Sequence, residues 1–243
     1  MMNTLRIVLI GYGRMGKMIE NIAIERGHRI VEIIDNPEEL SLLTKKQHEG
    51  NVAIDFSQPD AVESNLTSCF SMGLPVVEGT TGWHDRLDKI QQKVLQGGHC
   101  MFFAPNFSIG MNIAFALNQQ LARLTRGTGF NIQLSETHHI HKIDAPSGTA
   151  IRLANDILEQ HKELTGWTME KDGSIDRLHI EVERIGEVNG IHQVTASSSD
   201  EKISLRHEAF SRRGFALGAV MAAEFIKERK GIFTMTDLLA TTL

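Results

Sequence analysis

Leu5 to Ile10 is an apolar run broken only by Arg6, and it opens directly into Gly11-Tyr12-Gly13-Arg14-Met15-Gly16. A strand apolar on both sides belongs inside a parallel sheet, so helices must cover it above and below. A helical stripe follows at once in Met18, Ile19, Ile22, Ala23 and Ile24, ending near Gly27. Val31 to Ile34 makes a second strand, and Asp35 stands at its carboxyl end, about twenty residues past the glycines. In that context the glycines read as a dinucleotide fingerprint. They let a pyrophosphate approach the backbone and the helix N-terminus, while the acid bonds the ribose hydroxyls. Taken alone, the same glycines would be plain turn residues. Asp35 repels a 2′-phosphate and Asn36-Pro37-Glu38-Glu39 supplies no arginine to hold one, so NADH is favoured over NADPH.

The alternation continues. Asn51 to Ser57 reads as a third strand, followed by a helix through Ala61, Val62 and Leu66. Pro75 to Glu78 reads as a fourth strand, and a polar helix from His84 to about Gln96 turns Leu87, Ile90, Val94 and Leu95 inward. A fifth strand lies near Cys100 to Ala104. Repeated strand and helix give an α/β fold, a Rossmann-type parallel sheet wound on both faces. Ligands of such sheets lie outside the carboxyl ends of the strands, where Gly79-Thr80-Thr81-Gly82 and Pro105-Asn106-Phe107-Ser108 sit beyond Glu78 and Ala104. Composition alone leaves both open as binding loops or ordinary turns.

The most chemically loaded stretch is Glu136-Thr137-His138-His139-Ile140-His141-Lys142-Ile143-Asp144-Ala145-Pro146-Ser147-Gly148-Thr149-Ala150. No packed core needs three imidazoles, an ammonium and two carboxylates so close together. Phe130 to Glu136 alternates apolar and polar, a strand with one buried face, so the histidines emerge at or just past its end. Downstream, Ala150, Ile151, Leu153, Ala154, Ile157 and Leu158 recur at helical spacing. Ser147 or Thr149 can cap that helix, and Pro146 disfavours helix before it. Its N-terminus offers free N–H groups to a carboxylate or phosphate, and Lys142 adds a full positive charge. Imidazole changes charge near neutral pH, and an ammonium crowded by other cations gives up its proton more readily. His138 and Lys142 are therefore candidate proton donors and anion ligands. A solvated surface histidine accounts for one imidazole, not for three ahead of an anion-binding turn. Zinc on His139 and His141 finds no cysteine or acidic ligand set nearby, so no metal is expected. Ser147 lacks the glycines of a nucleophile elbow and suits capping.

The chain of 243 residues is long enough for one large domain or two modest ones. A net charge of −5 with scattered basic residues argues against nucleic acid or a membrane surface as partner. No apolar run approaches the roughly 20 residues of a bilayer span, and the chain runs from Met1 into a strand without a signal segment, so a cytoplasmic location is expected. Cys69 and Cys100 form no C-x-x-C pattern and read as small buried residues.

Past Asn106 to Gly110 a helix from Met111 to Leu124 carries Ile113, Ala114, Leu117 and Leu121. The polar segment 163–174 reads as a loop. Arg177 to Ile185, Gly190 to Ser197 and Lys202 to His207 read as strands of a largely open sheet, an α+β region whose solvated face takes His179, His192 and His207. A last helix from about Ala216 to Lys227 and a tail at Phe233 to Leu239 are amphipathic enough to rejoin the first domain. The expected division is residues 1–107 with 216–243 as a dinucleotide-binding domain and 108–215 as a substrate-binding and oligomerisation domain.

His138-His139-x-His141-Lys142-x-Asp144-Ala145-Pro146-Ser147-Gly148-Thr149-Ala150 resembles the signature of the 4-hydroxy-tetrahydrodipicolinate reductases, the dihydrodipicolinate reductases of bacterial lysine and diaminopimelate synthesis. The resemblance covers nearly the whole chain and supports the discontinuous first domain. It implies hydride transfer from NAD(P)H to C4 of a cyclic unsaturated dicarboxylate with loss of water. His138 would be proton donor or acceptor and Lys142 proton donor, with His139, Ser147, Gly148, Thr149 and Arg212 as substrate ligands. Gly11 to Gly16, Asp35, Gly79, Thr80, Thr81 and Ala104 to Phe107 would hold the cofactor. It further implies a homotetramer assembled through the middle-domain sheets, and closure of a hinge between the domains. Against the family the glycine loop looks one residue short before Gly13-Arg14-Met15-Gly16. Two other readings are a nicotinamide-dependent dehydrogenase of another small carboxylate and a dinucleotide-binding redox sensor. The sensor would need a DNA-binding helix or basic patch, and the sequence shows neither.

Overall fold

A computed structural model of the chain describes residues 4–170 and 174–241, and two compact units emerge, residues 1–109 with 213–243 and residues 110–212. The start of the chain at residues 1–3, part of the expected loop at 171–173 and the end of the tail at 242–243 lie outside the described residues.

The first unit is built on β1 (Arg6–Ile10), β2 (Arg29–Ile34), β3 (Val52–Asp55), β4 (Val76–Glu78), β5 (Cys100–Phe103) and β11 (Gly231–Phe233). They form one parallel sheet in the order β11-β5-β4-β3-β1-β2. Ile7 to Ile10 are buried on both faces, as their unbroken apolar run requires. The helices are α1 (Arg14–Glu25), α2 (Pro37–Leu43), α3 (Val62–Ser71), α4 (Leu87–Gly97), α7 (Arg213–Ile226) and α8 (Met235–Ala240). One apolar layer joins Ile19, Ile22 and Ala23 of α1 to Ala216, Ala219 and Ala223 of α7. At its edge Arg26 donates to both oxygens of Glu224 at 2.7 and 2.8 Å. A Cβ on Gly218 would lie 1.8 Å from the Phe107 carbonyl oxygen, so α7 rests directly on the loop after β5.

The second unit holds α5 (Ile109–Thr125), β6 (Asn131–His138), α6 (Gly148–Gln160), β7 (Gly166–Thr168), β8 (Arg177–Arg184), β9 (Ile191–Ser197) and β10 (Lys202–Glu208). Its mixed sheet runs β10-β9-β6-β8-β7. Met111, Phe115, Leu134, Leu153, Ile157, Ile180 and Val194 pack α5 and α6 on one face. The other face carries Gln133, Ser135, His179, Glu181, Gln193 and Thr195.

Several boundaries differ from the sequence reading. The loop at 163–174 contains β7, three residues paired with β8 and too short to show alternation. The tail holds β11 and α8, and β11 is a strand only because β5 offers it an edge. α7 begins at Arg213 rather than Ala216, because Arg213 and Gly214 at its start carry no apolar signal, although Phe215 already packs on the core. Ile24, Leu95, Ile113 and Leu117 are exposed, each one position off the stripe that its helix buries. His192 and His207 do not share a solvated face with His179. They sit across from each other on β9 and β10, on the side that α5 and α6 cover, and His192 is 6% exposed.

Candidate functional site

In the first unit the loops after β1, β3, β4 and β5 lie at the carboxyl edge of the sheet. Gly11 has φ +84°, and a Cβ there would meet the Phe56 carbonyl oxygen at 2.4 Å; one on Gly16 would meet the Gly11 carbonyl oxygen at 2.1 Å. These two glycines make the turn and its packing against α1. Gly13 has nothing within 4 Å of its would-be Cβ. It is the N-cap of α1, no side chain caps that end, and no acidic residue stands in the first turn. Free N–H groups with open space before them fit a pyrophosphate. Tyr12, Arg14 and Met15 fill out the loop, and Asp35 Oδ1 accepts the Tyr12 N–H at 2.8 Å. Asp35 N–H donates to Glu39 Oε2 at 2.8 Å, so a second carboxylate stands at the ribose end.

On the opposite side Gly79 permits contact with Phe56, whose ring a Cβ would enter at 2.2 Å. Thr80 is buried and Thr81 exposed. Ala104 and Phe107 are buried, the Phe107 ring packing on Phe56 and Phe102 at 5.5 and 5.8 Å between centroids. Phe107 thus offers a ligand its backbone, not its ring. Pro105 is exposed and Asn106 half-buried, and Asn106 Oδ1 accepts the Ser108 N–H at 2.9 Å.

In the second unit the alternation of β6 puts Leu134, Glu136 and His138 on the buried face, with His138 the last strand residue. Glu136 Oε1 accepts the Ser147 N–H at 3.0 Å and Arg184 Nη2 at 3.2 Å, and Glu136 Oε2 accepts the Ser147 hydroxyl. His138 Nδ1 and His192 Nε2 lie 3.5 and 3.6 Å from the same carboxylate. Burial pushes Glu136 up, but His192, both Ser147 groups and His138 outweigh it and hold the carboxyl down at about 2. Burial also drives His138 down to about 4, against the pull of Glu136 and with help from His192, Lys142 and Arg184. His138 is therefore a neutral imidazole near pH 7.

Arg184 spans the loop. Its guanidinium donates to the carbonyls of Asp144 at 2.6 Å and Lys142 at 3.3 Å as well as to Glu136. Ser147 accepts the Ala150 N–H at 3.2 Å, the N-cap bond the sequence suggests. The N–H groups of Gly148 and Thr149 have no acceptor among the described residues, and nothing lies within 4 Å of a Cβ on Gly148. N–H groups in that state at the N-terminus of α6 have the chemistry to receive an anion. Lys142 sits in the same loop with its ammonium 2.8 Å from Asp144 Oδ1, so its company is not only cationic. His139 is half-buried, its ring 6.1 Å from that of His141. Arg212 is exposed where the chain leaves the second unit and makes no hydrogen bond or ion pair with the cluster among the described residues.

Glu136, Arg184 and His192 belong to the cluster around His138 and were not among the candidate site residues of the sequence. The register carries the signal, because each stands where an apolar residue would continue the buried face or its rim. Glu136 does give the histidines an acidic neighbour: ligand atoms of Glu136, His138 and His192 lie within 4.8 Å of one another. Both Glu136 oxygens already accept hydrogen bonds, however, and the Arg184 guanidinium places a fixed positive charge against the carboxylate. That donor set suits a hydrogen-bonded anchor better than a divalent cation.

Residues 5–107 match a family model described as dihydrodipicolinate reductase, N-terminus, and residues 110–239 its C-terminus counterpart. The 4-hydroxy-tetrahydrodipicolinate reductase of Christiangramia forsetii is 46% identical over 97% of this chain and 98% of its own. The protein of that name from Methanopyrus kandleri is 38% identical over 79% and 72%. Among solved structures, the dipicolinate-bound dihydrodipicolinate reductase from Paenisporosarcina sp. TG-14 shares the fold, with a TM-score of 0.75 at 22% identity, covering 96% of this chain and 98% of that one.

Proposed function

The chain belongs to the dihydrodipicolinate reductase family, and from that premise we propose that it reduces 4-hydroxy-tetrahydrodipicolinate to tetrahydrodipicolinate with NAD(P)H, in lysine and diaminopimelate biosynthesis. The observation that carries the reading is the open N-terminus of α6, anchored through Ser147 to Glu136 in the same turn as Lys142. A dianionic substrate needs N–H groups and cations at its carboxylates, and Gly148, Thr149, His139, Lys142 and Arg212 are the ligands of this proposal.

The bound nicotinamide would supply a hydride to C4 of the substrate ring. Gly11 to Gly16 and Asp35 would seat the pyrophosphate and ribose, and Gly79 to Thr81 with Ala104 to Phe107 the nicotinamide side. Lys142 is the proton donor, since burial leaves His138 a neutral imidazole near pH 7; His138 takes or relays the proton. Asp35 and Glu39 favour NADH by repelling a 2′-phosphate. No helix of the described residues is long and apolar enough to cross a membrane; the buried free thiols of Cys69 and Cys100 support a reducing, cytoplasmic setting. The open polar face of the second sheet is the surface through which a homotetramer would form.

The test is loss of NADH absorbance with substrate made in place by the upstream synthase from pyruvate and aspartate semialdehyde. Wild type should turn over, and His138→Ala and Lys142→Ala should lose roughly 10² to 10⁴ in kcat. A wild type that binds NADH and leaves this substrate untouched would favour a dehydrogenase of another small carboxylate.

A further inference from the structure

Asp55 and Glu78 are the last residues of β3 and β4, and the parallel register sets them side by side. Their side chains share the face that Ala53, Val76 and Met101 fill, and they are 0% and 1% exposed. Among the described residues no arginine, lysine or histidine lies within ion-pair distance of either. Two neighbouring carboxylates without a counter-ion cannot both ionise in such a place.

The hydrogen bonds show which one yields. Asp55 is well served: Oδ1 accepts the Ser57 N–H at 3.0 Å and Oδ2 accepts Asn65 Nδ2 at 2.9 Å. Glu78 Oε1 accepts the Thr80 N–H at 2.7 Å, but Oε2 is buried with no donor among the described residues. A proton on that oxygen removes the orphan, because an acid O–H can donate to Asp55. Burial first, and then the charge of Asp55, raise Glu78 well above the ordinary carboxyl range. The Cys69 thiol on α3 faces the pair and is pushed up by burial and by both carboxyls, so it brings no compensating charge.

We infer that Asp55 and Glu78 share one proton as an acid–carboxylate pair, and that this pair positions the two turns on the nicotinamide side of the cofactor site. Asp55 fixes Ser57, Glu78 fixes Thr80, and Ser57 N–H donates to Thr80 Oγ1 at 3.1 Å, so the two turns are tied into one piece. Loss of the shared proton sets two carboxylates against each other and drives the turns apart. The positioning half rests on the cofactor roles proposed for Gly79 and Thr80; the shared proton does not.

Infrared spectra read the proton directly. Wild type at neutral pH should show the carbonyl stretch of a buried carboxylic acid that Glu78→Gln lacks. Calorimetric titration with NADH over roughly pH 6 to 9 reads the positioning. Wild-type affinity should fall about tenfold or more at the pH where the acid band disappears. Glu78→Gln keeps an acceptor for Thr80 and a donor for Asp55 but cannot ionise, so its affinity should stay level across the range. Absence of the acid band from wild type overturns the shared proton. An affinity loss that does not track the band, or that persists unchanged in Glu78→Gln, overturns the positioning role. Wild type that shows the band and never binds NADH overturns the cofactor assignment and the positioning with it, while leaving the shared proton standing.

Discussion

Glu136→Gln is the substitution that most loads the substrate-side cluster. The carboxylate takes the Ser147 N–H, the Ser147 hydroxyl and Arg184, and it faces two histidines. Its fall from 4.5 to about 2 corresponds to roughly 3 kcal/mol of stabilisation of the charged form. A carboxyl lowered in the folded state contributes its full stability above the unfolded value of 4.5 and loses it as the pH falls towards 2. Glutamine keeps the volume, but it gives up the charge and turns one acceptor into a donor facing a buried hydroxyl. We expect the variant to lose about 2–3 kcal/mol at pH 7. Because the chain has two compact units, the loss is best read locally, as amide hydrogen exchange in β6 and the first turn of α6. Below pH 4.5 wild type should lose protection faster than the variant, by up to about 1.4 kcal/mol per pH unit. Turnover should fall too, since Arg184 and the α6 N-terminus lose their common anchor. Equal protection at pH 7 together with the same acid slope in both proteins would mean that the Glu136 charge does not hold this cluster together.

The ionisation of His138 should appear in the profile of kcat/KM near pH 4 rather than near 6.5, and His138→Asn should remove it. Gly16→Ala should abolish NADH binding, because its methyl would stand 2.1 Å from the Gly11 carbonyl oxygen; Gly13→Ala, with nothing within 4 Å, should fold normally and weaken NADH alone. Asp35→Asn should raise NADPH relative to NADH by roughly tenfold in kcat/KM, the effect of removing one charge beside a phosphate.

What the sequence made readable follows physical range. The βαβ unit was legible because its signals are local: a doubly apolar strand, three glycines with distinct steric duties and an acid at the next strand end. The α6 cap was legible for the same reason, Ser147 and Pro146 acting within one turn. β7 and β11 were not, since three residues carry no period and their pairing is supplied by a neighbour distant in the chain. The site was half legible. His138 and Lys142 stand in a dense motif, whereas Arg184 and His192 reach Glu136 only through β8 and β9 pairing with β6. His192 in particular shares the parity of Val194 and Ala196, so alternation alone puts it on the buried face, and only grouping it with His179 as one charged surface points it to solvent. The neutral state of His138 depends on burial that only the folded cluster reveals.

Reduction at C4 by hydride transfer, with the new proton coming from Lys142, leaves its mark in the product. Its most direct measurement uses NADH deuterated at the transferable position of the nicotinamide ring, with the product examined by mass spectrometry. Tetrahydrodipicolinate should come out one mass unit heavier, with the label at C4 and its formation slowed strongly in Lys142→Ala. Unlabelled product, or label elsewhere in the ring, would contradict hydride transfer to C4.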